Sequence, residues 1–131
     1  MAKVGSSAGW QENYVETITA DKTLSFGDSG KVFLVGTDAL TITLPAMSAA
    51  KAGARFTFVN SGDDDAVLIT ISPNSSDKIM GTIAAVSMTA SDDGDLTNTK
   101  SGANKGDWCT IVGDGSDGWY IIGGDGVWAG A

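Results

Sequence analysis

Two alternating runs joined by a link of small residues constrain the fold of this chain more than any other feature. Residues 40–44 alternate apolar side chains with threonines, and Pro45 ends the run because a proline cannot donate a hydrogen bond to a strand ladder. The alternation resumes over residues 54–59, which place an alanine and two phenylalanines on one face. The link 46–53 has room for one turn of helix closed by Gly53. The pattern predicts a strand, a close-packed corner and a returning strand.

The rest of the chain continues in the same manner. Runs of about four to seven strand-forming residues recur about every eight to twelve residues between Gly, Asp and Ser turns, which is typical of β-sandwiches and small barrels. We therefore predict an all-β, single-domain β-sandwich or small barrel, jelly-roll-like, over residues 14–131. Its closing hairpin pairs residues 107–112 with 119–122, and a glycine-rich tail follows. Residues 1–13 lack a sustained period and are expected to form an extended N-terminal arm. No internal repeat of fixed period is apparent.

Charge and hydropathy exclude several kinds of partner. Eight basic and sixteen acidic residues among 131 give a net charge of −8, whereas nucleic-acid binding needs clustered Lys and Arg, so no nucleic acid is expected. No segment approaches the roughly 20 apolar residues of a membrane span, and the first residues lack the apolar run of a secretory signal. We expect no membrane partner and a chain that stays in a cytoplasm until it is assembled into a larger structure.

The residue types needed for common chemistry are sparse. The chain has no histidine, so Ser-His-Asp and Cys-His arrangements cannot form within it, and we predict that it is not an enzyme. Aspartates cluster at residues 63–65, 92–95 and 114–117, but none of these clusters has EF-hand spacing, and Asp is common in turns. No cofactor and no metal ligand is predicted, although calcium binding by these clusters stays open. Cys109 alternates in step with Ile111, which predicts a buried and inert thiol.

The aromatic residues offer the remaining functional signal. Trp10 and Trp128 lie near the two ends of the chain, among small residues that cannot form a local core, so either could anchor an end to a partner. Aromatic rings on a β-sandwich also stack on sugars, and Trp119, Tyr120 and Trp128 are the platform candidates for that role. Packing in the closing hairpin is the simpler expectation for Trp108 and Trp119.

A resemblance narrows these alternatives. It is carried by four segments, residues 30–35, 41–46, 53–60 and 118–121. An isoleucine-rich strand before the last of these segments is also part of the pattern. Their succession resembles small β-rich structural proteins of tailed bacteriophages, notably head decoration (cement) proteins and modules of tail or head fibres. The resemblance implies a virion protein on the capsid surface, a homotrimer that bridges subunits of the major capsid protein. The chain lacks the long coiled coil or fibrous repeat of a complete fibre, which favours the decoration protein.

This reading assigns attachment to the two ends of the chain. The residues expected to contact the capsid or a neighbouring subunit are Val4, Trp10, Tyr14, Val127 and Trp128. The alternative function is a phage tail or head fibre module that binds host-surface carbohydrate.

Overall fold

The computed structural model describes residues 14–83 and 94–130. The helical elements that lie wholly within this part are two 3-10 turns, Phe26–Asp28 and Ala49–Lys51. The described strands are β1 (Val15–Ile18), β2 (Lys22–Thr23), β3 (Val32–Val35), β4 (Leu40–Thr43), β5 (Arg55–Asn60), β6 (Ile69–Ser72), β7 (Lys78–Met80), β8 (Leu96–Asn98), β9 (Trp108–Gly113), β10 (Gly118–Asp125) and β11 (Trp128–Gly130). The all-β prediction is confirmed.

The strands form two mixed sheets. One has six strands in the order β1-β3-β5-β9-β10-β7, and the other has five in the order β11-β8-β6-β4-β2. In the first half of the chain, successive strands belong alternately to the two sheets. As a result β1, β3 and β5 run parallel in one sheet, and β2, β4 and β6 run parallel in the other. Parallel strands need a crossover connection, and here each crossover contains a strand of the opposite sheet.

This winding corrects the expectation that residues 54–59 return alongside residues 40–44. Both runs are strands, but β4 pairs with β6, Leu40 opposite Ile69, whereas β5 pairs with β3, Thr57 opposite Val32. The link 46–53 thus carries the chain from one sheet to the other. A two-residue period identifies the buried side chains of a strand, but it does not identify the neighbouring strand.

The buried residues of both sheets form one hydrophobic cluster. Leu40, Ile42 and Leu44 are buried as the alternation predicted, and so are Phe56 and Phe58. Because each short strand buries alternate side chains in the same cluster, the two sheets depend on one another for stability.

The link between β4 and β5 forms the close-packed corner that its small residues predicted. Its partner is the turn between β9 and β10: Gly53 N donates to Gly113 O over 2.9 Å, and Gly115 N lies 3.2 Å from the sulfur of Met47. A Cβ on Gly115 would lie 2.8 Å from the Cβ of Ala52, and the residue has a φ of +80°. This turn therefore requires glycine for both space and conformation.

The predicted closing hairpin is present, and it extends further than expected. Strands β9 and β10 pair in antiparallel fashion from Gly113 opposite Trp119 to Trp108 opposite Asp125, with a bulge after Thr110. Much of the glycine-rich tail is therefore strand: β10 continues to Asp125, and β11 pairs with β8. The tail stabilises both sheets.

An ion-pair cluster joins the first two strands to the turn before β3. The Glu16 carboxylate accepts from Lys22 and Lys31, each over 3.0 Å, and Lys31 also reaches Asp28 at 3.0 Å. Hydrogen bonds from Lys22 and Lys31 hold the pKa of Glu16 below its ordinary value. A carboxyl with a lowered pKa stabilises the fold at neutral pH, and this contribution is lost as the pH falls through its folded-state pKa.

We therefore expect Glu16→Gln to lower the free energy of unfolding by up to about 1 kcal/mol at pH 7, the range of partly exposed ion pairs. The difference in the free energy of unfolding between the variant and the wild type should disappear as the pH falls below 4.5, the ordinary pKa of this carboxyl. Thermal unfolding between pH 7 and pH 3 measures it. Asp63→Asn removes one carboxylate from a side chain that is 89% exposed and serves as the control. A Glu16→Gln deficit that persists unchanged at pH 3 would contradict the ion-pair account.

Cys109 is fully buried in β9, and its burial raises the pKa of the thiol. Because the thiolate is the reactive species, we expect no reaction with an aromatic disulfide reagent in the native state and one equivalent after unfolding in guanidinium. Absorbance of the released thiolate reports the extent of reaction. Rapid modification of the native protein would show that β9 is more accessible than its packing indicates.

None of the helical segments in residues 14–83 and 94–130 has the length and apolar character needed to span a bilayer.

Candidate interaction surface

Most side chains on the outward side of the five-stranded sheet carry a hydroxyl group. These residues alternate with the buried ones and align across strands, with Thr41 opposite Thr70 and Thr70 opposite Thr97. We call this the hydroxyl face and define it by Thr23, Thr41, Thr43, Thr70, Ser72 and Thr97. Threonine suits both a pleated strand and water, so this side has the composition of a solvated sheet.

The outward side of the six-stranded sheet is different, because most of its side chains are apolar. We call it the apolar face and define it by Val15, Thr17, Val32, Leu34, Arg55, Thr57, Val59, Lys78, Met80, Trp108, Thr110, Val112, Tyr120 and Ile122. Six large apolar side chains in the described part of the chain are strongly exposed, and four of them belong to this face: Val15 (51%), Trp108 (38%), Tyr120 (46%) and Ile122 (49%). Exposed apolar side chains grouped on one surface mark an interaction site more often than scattered ones do.

The register of the strands makes the apolar face continuous. Leu34, Val59 and Trp108 lie opposite one another on β3, β5 and β9. A second row joins Val112 to Tyr120 on β10. Residues directly opposite on one face of a sheet have Cβ atoms about 4.5–5.5 Å apart, so each row forms a nearly unbroken apolar strip.

The polar atoms in the middle of this face are paired with each other. The hydroxyls of Thr57 and Thr110 lie 2.8 Å apart across β5 and β9. A hydroxyl that already has a partner loses less on removal from water than an unpaired one does. The centre of the face can therefore be covered at little cost in hydrogen bonding.

Charged groups lie at the ends of the apolar face. Arg55 and Lys78 begin β5 and β7 at one end, and Asp125 closes β10 opposite Trp108 at the other. Sixteen acidic residues occur in the chain, yet among the outward positions of the paired strands in this sheet Asp125 is the one carboxylate within the described ranges. The negative charge of the molecule is thus kept away from this face.

Aspartates concentrate in turns, where they bond to backbone amides. Asp64 and Asp65 accept from the amides of Lys105 and Gly102 at 3.0 and 2.7 Å, and Asp114 accepts from Ser116 and Gly118. These bonds lower the pKa of Asp114, where Gly118 makes the largest contribution. A search for metal-binding groups of three or more His, Cys, Asp or Glu found none over residues 14–83 and 94–130. The cluster 92–95 lies partly outside those ranges.

A buried polar network that the sequence reasoning missed links the two sheets. The Asn60 amide on β5 donates to Asn98 on β8 over 2.7 Å, and Asn98 donates in turn to Asp107 at 3.2 Å and to Val127 O at 3.0 Å. Asp107 also accepts from the amide of Asn104. The sequence could have indicated that these asparagines are buried, because Asn60 and Asn98 occupy strand positions that alternate in step with buried residues. The partners of this network are internal, so it is structural.

The structure separates the five residues expected to contact a partner. Val4 and Trp10 lie outside the described residues. Tyr14 is 49% exposed next to β1, at an edge of the six-stranded sheet, and Val127 is partly exposed before β11. Trp128 is a core residue, 2% exposed, and its indole nitrogen donates to Asp125 O. The contact assignment stays a prediction, but Trp128 has little surface left to offer to a partner.

Burial also changes the set of aromatic residues considered for sugar stacking. Trp119 and Trp128 are both buried, while Tyr120 is 46% exposed. Trp108, expected to pack within the hairpin, is 38% exposed on the apolar face. The exposure of each of these aromatic residues depends on which face of the sheet its side chain points to. The two-residue period of the strand determines that face.

Comparison of the chain with protein-family models finds no matching family, and a sequence comparison with curated proteins finds no match. A function for this chain therefore has to be argued from its own surfaces and sequence.

Proposed function

We propose that this chain is a structural virion protein that binds the outer surface of a tailed-phage capsid as a homotrimer and stabilises the expanded lattice. The observation that supports this most is the apolar face, which gives the molecule a broad surface for the contacts between subunits that a homotrimer requires. The resemblance of residues 30–35, 41–46, 53–60 and 118–121 to phage decoration proteins directs the proposal to a virion. Its partner is the major capsid protein.

The mechanism is stabilisation by mass action. A protein that binds the assembled, expanded lattice and has no affinity for free capsid subunits raises the free energy needed to disassemble that lattice. At a concentration one hundred times its dissociation constant, each bound site contributes about 2.7 kcal/mol. Repeated over a shell, such contributions oppose internal pressure without any bond being made or broken.

The proposal includes the finer architecture. The two sheets pack face to face as a sandwich, and residues 1–13 form an arm that reaches an adjacent capsid subunit. A cyclic trimer presents three copies of that arm, so attachment is multivalent. Three weak contacts made together hold far more tightly than any one of them alone.

Titration of the purified protein onto expanded capsids that lack it tests this function. We expect saturable binding and a higher temperature of capsid disruption, measured by calorimetry. Deletion of residues 2–12 should weaken binding at least tenfold. A variant that replaces residues 2–12 by a Gly/Ser segment of equal length separates the loss of side chains from the loss of chain length. Undiminished binding by both variants would refute the arm, and no binding by the intact protein would refute the function.

The exposed ring of Tyr120 favours the second candidate, a fibre module that binds host-surface carbohydrate. It predicts affinity for polysaccharide and a position at the periphery of the virion. A glycan array probed with the wild type and with Tyr120→Ala separates the two functions. Binding that depends on the ring supports the fibre module, and no binding to any glycan removes it.

A further inference from the structure

We infer that the apolar face is the surface through which copies of this chain contact one another. The inference depends on the proposed function only for the number of copies, which is expected to be three. The occupant is a second copy of the same chain rather than the capsid, for reasons of composition, area and charge.

The composition of the face matches a contact between identical subunits. Interfaces between copies of one chain are more apolar than those between independent partners, and they are enriched in aromatic residues with charge depleted at their centre. Trp108 and Val112 lie on β9, a middle strand of the sheet, and Tyr120 lies on the adjacent β10, while the charged residues Arg55 and Asp125 lie at opposite ends. The Thr57–Thr110 pair at the centre needs no partner across the interface.

The size of the face is sufficient for such a contact. Six strands about 4.8 Å apart, each about five residues long at about 3.3 Å per residue, cover about 500 Å² on one copy. Three copies that turn this face toward a common three-fold axis bury about 1,500 Å² in all, which exceeds the lower bound of about 1,000 Å² for a specific protein interface. The contact is therefore stable enough to form and weak enough to depend on concentration.

Charge favours self-association through this side of the molecule. Copies that each carry a net charge of −8 repel one another when acidic surfaces approach. The apolar face carries Arg55 and Lys78, and its one described carboxylate is Asp125 at the far end. Two copies can meet here without bringing their acidic turns together, and the hydroxyl face offers no comparable apolar gain.

A copy of the chain is also the partner that is always available. A face of about 500 Å² on which most side chains are apolar is comparable in size to the largest patches that monomeric proteins expose, and an open surface of this kind promotes aggregation. Another copy covers it from the time of synthesis.

Sedimentation equilibrium of the full chain from 1 to 100 µM tests this inference. We expect the wild type to reach three times its chain mass of 13.3 kDa. Ile122→Lys introduces a charge at an exposed apolar position on β10 of this face and should raise the concentration of half-association at least tenfold. Thr70→Lys places the same side chain at the middle of the hydroxyl face and should leave the mass unchanged. Far-ultraviolet circular dichroism shows whether Ile122→Lys folds. If it does not, Ile122→Thr keeps the β-branch, removes apolar surface from the same position and is compared with the wild type in its place.

A wild-type mass of one chain at 100 µM would overturn the inference, and so would equal effects of the two lysine variants. A mass of two chains supports the contact and contradicts the trimer. An associated wild type that fails to bind expanded capsids supports the contact while refuting the proposed function, so the two failures are distinguishable.

Discussion

Replacing Phe56 by alanine is expected to lower the free energy of unfolding by about 3–5 kcal/mol. The ring of Phe56 is fully buried, and its centroid lies 6.2 Å from that of Phe33 and 5.4 Å from that of Trp119. These three side chains belong to β3, β5 and β10, so the cavity would open among rigid paired strands that cannot collapse into it. A chain of this size has a total stability of about 5–15 kcal/mol, and the variant should lose much of it.

Urea denaturation followed by tryptophan fluorescence measures this loss. Phe26→Ala is the matched control, because it makes the same chemical change at a side chain that is 47% exposed, and it should cost less than about 1 kcal/mol. Equal costs for the two variants would mean that β5 does not lie at the centre of the core.

Replacing Asn98 by alanine is expected to lower the free energy of unfolding by about 2–4 kcal/mol. The amide of Asn98 accepts from Asn60 and donates to Asp107 and to Val127 O, and the side chains of all three network residues are buried. Alanine would leave several of these polar groups without a partner in the interior. Since Asn60 belongs to one sheet and Asn98 to the other, the loss should also loosen the contact between the sheets.

Chemical denaturation measures the loss in the free energy of unfolding, and amide hydrogen exchange measures the loosening of the contact between the sheets. Asn104→Ala removes an exposed side-chain amide in the loop between β8 and β9, where it donates to Gly102 O over 3.3 Å, and it should cost less than about 0.5 kcal/mol. We expect faster exchange in β8 and β11 of Asn98→Ala and unchanged exchange in the control. A stability of Asn98→Ala within about 0.5 kcal/mol of the wild type would show that water replaces the amide.

The local structure of this chain could be predicted because its strands follow a strict two-residue period. Leu40, Ile42, Phe56 and Phe58 are buried where the alternation placed them, and the hairpin of β9 and β10 follows from a turn between two such runs. Burial of alternate side chains is a local property, since it depends on the direction of each residue along its own strand. The sequence therefore predicted the class of fold and most of the core.

The pairing of the strands could not be predicted in the same way. β4 and β5 follow each other in the chain and belong to different sheets, and the connections between successive parallel strands differ in length. A winding without a fixed period leaves no repeat to detect in the sequence. The same difficulty applies to the C-terminal tail. Its glycines suggested a segment without regular structure, whereas several of them are strand residues of β10 and β11.

The candidate interaction surface was hidden for a related reason. Val15, Val59, Trp108 and Tyr120 are far apart in sequence, and only the order and register of β1, β5, β9 and β10 place them on one side of a sheet. Sequence reasoning assigned attachment to aromatic residues at the chain ends, and for Trp128 the alternation with its neighbours was too short to reveal burial.

Locating the protein in the virion tests the central claim most directly. Virions labelled with a gold-conjugated antibody against the purified chain, and imaged by electron microscopy, would show where it resides. The decoration function predicts label over the whole outer surface of the expanded head, and none on precursor heads that have not expanded. Label confined to the tail or to fibre tips, or its absence from the virion, would contradict it.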